Sequence, residues 1–141
     1  MKVEILMIGK VADKPYTKLV SLYLDRCGRR LPVEIVCCKN EDEMVKRAEA
    51  REYVIALEEH ARCHDTTGFC NWLGGIINGG NNRITFCLGA ASGLDPRIKA
   101  LAVEKLSLSP LTMNHQLALL VLAEQLYRSV SIMFGEPYHK A

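Results

Sequence analysis

At 141 residues, 49% hydrophobic and 24% charged, the chain is long enough to bury roughly two-thirds of its unfolded surface and too apolar to be disordered. A net charge of +2 permits nucleic-acid binding but is too weak a basic bias to imply it. The longest apolar run, residues 117–123, is far short of a bilayer span, and residues 1–9 lack the charged lead and long apolar core of a secretory signal; the expectation is one domain, residues 1–141, in the cytoplasm, with no membrane partner.

Residues 2–9 (KVEILMIG) are β-branched and apolar and end in glycine, which predicts a first, mostly buried strand. A polar connection, 10–15, leads to a helix over 16–30 with Leu19, Leu22, Tyr23 and Arg26 at helical spacing. Residues 31–38 (LPVEIVCC) read as a second strand with Pro32 at its start. A charged helix over 41–51 offers only Met44, Val45 and Ala48 to a core and pairs Glu43 with Arg47 across one turn. Residues 53–57 (YVIAL) are a continuous apolar run, as a strand covered on both faces requires.

After a polar loop at 58–65, residues 66–77 read as a helix despite Gly68, Gly74 and Gly75, and 78–82 (NGGNN) as a turn. Residues 83–88 (RITFCL) predict a fourth strand, 89–94 a glycine-flanked loop, and Asp95 a cap for a helix with Pro96 in its first position and Ile98, Leu101 and Ala102 on one face. Leu106 and Leu108 alternate as a last short strand. Strands alternating with helices define an α/β protein with a mainly parallel sheet flanked by helices. Ligands of such sheets sit beyond the carboxyl ends of the strands, where the loops 58–65, 89–94 and 109–115 converge.

The loop 89–94 allows close backbone approach at Gly89 and Gly93, but its spacing is not that of a dinucleotide-binding G-x-G-x-x-G; a turn needing positive φ explains it equally. Residues 107–115 (SLSPLTMNH) offer backbone groups that could hold an adenine edge or an amino-acid moiety, or a helix cap at Thr112 or Asn114. The helix that follows carries one apolar stripe of Leu119, Leu122, Ala123, Leu126, Val130 and Met133, and a second of Leu117, Leu120 and Val121. A helix apolar on two faces lies deep in a core or at a subunit contact, and a dimer interface that includes Leu122 is the expectation. Glu124 and Arg128 are one turn apart and able to pair, and the tail carries Tyr138, His139 and Lys140, residue types suited to stacking, phosphate contact and proton transfer.

The six cysteines, Cys27, Cys37, Cys38, Cys63, Cys70 and Cys87, are expected as reduced thiols. A zinc site would have to use Cys63, His64 and Cys70; no C-x-x-C pair exists and Cys63 adjoins His64, so no metal is expected.

The segments L-S-L-S-x-L-T-x-x-H (106–115), E-Q-L-Y-R (124–128) and P-Y-H (137–139), with the opening M-K-V-x-I-L-x-I-G, resemble the bacterial pseudouridine N3-methyltransferases of large-subunit ribosomal RNA, small members of the SPOUT, or α/β-knot, methyltransferases. The resemblance is dense over 84–141 and looser over 1–57. It implies a deep trefoil knot on the C-terminal side, an obligate homodimer, S-adenosylmethionine as cofactor without a metal, and methyl transfer to N3 of a pseudouridine in ribosomal RNA. By position, the cofactor site would use Leu57, Gly89, Ala90 and the backbone of Leu108, Ser109, Pro110, Leu111, Thr112, Met113 and Asn114. His115, Arg128, Tyr138 and His139 would approach the target base, the tail crossing to the partner's cofactor. The chain departs from the family pattern at Ala90, where a second glycine is usual, at Leu119, where an arginine is usual, at Glu58, His60 and Ala61, and in a shortened segment between the second and third strands. The alternative implied by those departures is a non-catalytic knotted dimer that binds RNA or protein.

Overall fold

The computed structural model describes residues 1–11 and 13–140. In chain order the elements are β1 (Lys2–Ile8), α1 (Lys14–Cys27), β2 (Val33–Cys38), α2 (Glu41–Glu49), β3 (Val54–Leu57), α3 (Thr66–Asn78), β4 (Arg83–Leu88), α4 (Pro96–Leu101), β5 (Glu104–Leu106) and α5 (His115–Met133). The strands form one sheet in the order β2-β1-β4-β3-β5, and every pairing is parallel. The α/β class and parallel sheet read from the sequence are those observed.

Side chains alternate across a strand, so each strand feeds two cores. Val3, Ile5 and Met7 of β1, Ile55 of β3 and Ile84, Phe86 and Leu88 of β4 are buried beneath α1, α3 and α5. Leu6, Val54, Ala56 and Cys87 point the other way and pack with Met44, Val45 and Ala48 of α2 and Ile98 of α4. Two polar side chains, Glu4 and Thr85, interrupt this second face. Glu4 is 3% exposed; Arg51 grips both its oxygens at 2.8 and 3.1 Å, and Thr85 donates to it at 3.1 Å. The Arg51 hydrogen bonds outweigh burial and hold the Glu4 carboxyl below the usual carboxylate range.

Helix starts are set by short polar side chains. Asn40, Asp65, Asp95 and Asn114 each accept a backbone N–H of the following turn, at 2.9, 2.7, 2.8 and 2.9 Å. Of the two cap candidates before the long helix, Asn114 is the one used. The edge strand β5 is anchored through Glu104, which accepts from Trp72 Nε1 at 3.0 Å and from the Tyr53 hydroxyl.

Four expectations change. Leu19 and Leu22 of α1 are 42% and 41% exposed, while Val20 and Cys27 face the core, so the helix is rotated from the stripe its leucines suggest. The last strand ends at Leu106, and Leu108 lies beyond it because the chain turns across the sheet end. On α5, Leu119, Leu122, Ala123, Leu126 and Val130 are buried as one stripe but Met133, on the last turn, is 40% exposed. Leu122 is wholly buried inside the protomer, between the sheet and its neighbouring helices, and is therefore unavailable to a partner. The usual-arginine position Leu119 also faces this core.

All six cysteines are free, with Cys37 and Cys63 exposed. Among the described residues no helix is long and apolar enough to cross a membrane, and no three His, Cys, Asp or Glu side chains are grouped to hold a metal ion.

The connection leaving β3 runs to α3 on one face, while that leaving the neighbouring β4 runs to α4 on the other. Adjacent strands whose chains diverge in this way open a crevice at their carboxyl ends.

Candidate active site

A cavity of about 310 Å³ occupies that crevice. Its floor is the end of β3 and β4, with Leu57 on one side and Leu88 and Gly89 on the other. One wall is the loop after β4. An added Cβ on Gly89 would stand 2.6 Å from the Gly93 carbonyl carbon and 2.7 Å from Leu94 N, so the two ends of this loop touch only because Gly89 has no side chain. Gly93 has φ +91°, and its N–H donates to the Ala90 carbonyl at 2.9 Å, closing the turn.

The opposite wall is the segment leaving β5. It is laced to the loop after β3: Glu58 N donates to Leu106 O at 2.9 Å, Ser107 N to Arg62 O at 2.9 Å, and Ser107 Oγ to Glu59 O at 3.0 Å. Within the segment, Leu111 N donates to Ser109 Oγ at 3.0 Å. Thr112 Oγ1 donates to the Glu59 carboxylate at 2.9 Å. The result is a backbone-rich, partly apolar cleft with a few polar groups, the usual form of a small-molecule site.

Of the residues singled out from the sequence, Leu57, Gly89, Ala90, Leu108, Ser109, Leu111, Thr112, Met113 and His115 line the cavity. Pro110 and Asn114 belong to the same segment without lining it, and Asn114 is occupied as the cap of α5. His115, the first residue of α5, stands half-buried at the cavity edge.

Arg128, Tyr138 and His139 gather elsewhere. Arg128 lies 13 residues after His115 on the same helix, about 20 Å along its axis at 1.5 Å per residue. Its guanidinium binds Glu124 in a fork at 3.2 and 2.6 Å and meets His139 Nδ1 at 3.0 Å. Tyr138 donates to Glu124 Oε2 at 2.7 Å, with the Arg128 guanidinium 4.7 Å from its ring centre. Burial opposes ionisation of Glu124, but the hydrogen bonds from Arg128 and Tyr138 prevail and hold its carboxyl below the usual range. Burial and the neighbouring Glu124 together push the Tyr138 hydroxyl well above its ordinary value.

The charged wall residues Glu58, Glu59 and Lys99 are absent from the site expected from the sequence. The place of the glutamates' loop after a strand marks it in the sequence, but only the fold shows which of its side chains face inward. Lys99 reaches the wall from α4 and pairs with Glu58 at 3.2 Å.

A parallel sheet with a backbone-lined cleft where its connections diverge belongs to the class of α/β proteins that bind a small ligand at the strand ends. The same fold is found in a probable methylase family protein from Haemophilus influenzae, with a TM-score of 0.61, 11% identity, and coverage of 99% of this chain and 70% of that one. The family model described as "Predicted SPOUT methyltransferase" matches residues 1–139. Proteins named ribosomal RNA large subunit methyltransferase H from Phenylobacterium zucineum and from a Caulobacter species are each 38% identical, over 99% of this chain and 99% of theirs. The chain belongs to the SPOUT methyltransferase family.

Proposed function

We propose that this chain is the one-domain protomer of a cytoplasmic homodimer that transfers a methyl group from S-adenosylmethionine to N3 of a pseudouridine in large-subunit ribosomal RNA. The cavity at the divergence of β3 and β4, with His115 at its edge, is the observation that carries this reading. The names of the full-length relatives support large-subunit ribosomal RNA as the substrate.

The residues present fit the cofactor. Leu57, Leu88, Leu108 and Ala118 give an apolar lining for an adenine ring, and the backbone along 108–113 gives donors and acceptors for its edge. The close Gly89–Gly93 backbone contact sets the shape of the loop that walls this lining. When bound, S-adenosylmethionine supplies an electrophilic methyl group on a sulfonium. The protein's own task is to hold the target ring in line and ease departure of the weakly acidic N3 proton. His115 is assigned to the base at the cavity edge, and Arg128, Tyr138 and His139 to the approach from a second copy.

That second copy is supported by the roughly 20 Å between His115 and Arg128 on one helix, which keeps the tail cluster away from its own protomer's cavity. Half-buried Leu117, Leu120 and Val121 on α5, and exposed Leu19 and Leu22 on α1, supply an apolar contact for it. The lacing of residues 106–112 to the loop after β3, on the way to α5, supports the trefoil threading.

The test is transfer of labelled methyl from S-adenosylmethionine to ribosomes. Label is expected in large-subunit RNA as N3-methylpseudouridine, with His115→Ala slower by about 10²- to 10⁴-fold. Equal label from wild type and variant contradicts the assignment, and cofactor binding with no transfer by either identifies a non-catalytic relative.

A further inference from the structure

Three ordinarily charged side chains line the cavity: Glu58, Glu59 and Lys99. Lys99 Nζ lies 3.2 Å from Glu58 Oε1, so those two charges offset one another. Among the described residues the only ion-pair partner of Glu59 is the His60 imidazole, at 3.3 Å with its side chain 83% exposed, a cation only when protonated. Glu59 is not loose, because Thr112 Oγ1 fixes its Oε2 at 2.9 Å against the opposite wall. One uncompensated carboxylate is thus held at the cavity surface.

We infer that Glu59 is a specificity-determining residue, whose carboxylate makes the cavity prefer the cationic methyl donor to the neutral-sulfur product. The inference rests on the reading of the cavity as the S-adenosylmethionine site. Methyl transfer breaks the S–CH3 bond and forms the N3–CH3 bond, while the N3 proton passes to a base. The sulfur keeps the electron pair of the broken bond, so the ligand loses one positive charge and becomes S-adenosylhomocysteine. Its adenosine, amino and carboxylate groups are unchanged. Glu59 lines the same cavity of about 310 Å³ that the ligand would occupy, so its carboxylate and the sulfur share one site with little water between them. The carboxylate holds the donor and lets the spent product leave.

Isothermal titration of the full-length protein with each ligand tests this. Glu59→Gln keeps the shape and an acceptor for Thr112 but removes the charge, and the side chain is 40% exposed, so folding is preserved. The ratio of product Kd to donor Kd is expected to fall by roughly twofold to tenfold in the variant. Raising salt is expected to lower the same ratio in wild type and leave it flat in Glu59→Gln. A variant that weakens both ligands equally, or a ratio unmoved by charge and salt, overturns the inference while the cofactor reading stands. No binding of either ligand to wild type removes both.

Discussion

Tyr138 and Glu124 are joined by a 2.7 Å hydrogen bond that ties the tail to the long helix. The same carboxylate takes the forked Arg128, which also reaches His139, so one acid organises three residues assigned to the RNA base. Tyr138→Phe removes one donor from a half-buried carboxylate and is expected to lower stability by about 1–2 kcal/mol. Methyl transfer should fall further than stability does, because the tail loses its anchor. Urea unfolding beside a transfer assay separates the two effects.

The Glu4–Arg51 pair lies under the sheet, remote from the cavity. Glu4→Gln leaves Arg51 and Thr85 with a neutral partner and should cost about 3 kcal/mol with little change in cofactor affinity. The sign of the pH effect follows from the lowered carboxyls of Glu4 and Glu124. Each contributes stability that is fully present above the unfolded carboxylate range and is lost as pH falls through its lower folded value. Thermal melts from neutral to acidic pH should therefore fall below pH about 4, and the fall should be shallower in Glu4→Gln.

Gly89→Ala places a methyl within 2.7 Å of Gly93 and Leu94 backbone. The loop must open, and cofactor affinity is expected to drop at least about tenfold, with about 2 kcal/mol lost in stability. At Gly93 a Cβ meets nothing within 4 Å, and only the φ of +91° resists it, so Gly93→Ala should cost about 1 kcal/mol. Calorimetry that ranks the two in the opposite order would contradict this wall geometry.

On α5, opposed faces should behave differently. Leu120 is half-buried and Leu122 wholly buried. Leu120→Glu is expected to give folded monomers in light scattering, by placing a charge in the proposed subunit contact. Leu122→Glu is expected to unfold the protomer, at a cost of several kcal/mol.

Much of this was legible in the sequence for physical reasons. The bounds of β4 coincide with residues 83–88 because glycine and asparagine end the run on one side and Gly89 on the other. The buried face of α2 was fixed because it has few apolar residues to choose from. The loops at the strand ends were marked by strand order alone. The face of α1 was not, since two overlapping apolar stripes share its surface and only packing against α5 selects Val20 over Leu19. Nor could the chain order announce that β1 pairs with β4, that Arg51 covers Glu4, or that Lys99 cancels Glu58 and leaves Glu59 uncompensated. Those depend on residues brought together from distant parts of the chain.

The central claim is that the cavity at one protomer's strand ends is completed by the tail of a second. Mixing two inactive variants, His115→Ala and a chain lacking residues 138–141, and measuring methyl transfer tests it most directly. A shared site predicts recovery to about a quarter of the wild-type rate after subunits exchange, because mixed dimers carry one intact site. A mixture as inactive as either variant alone, with exchange verified, would contradict it.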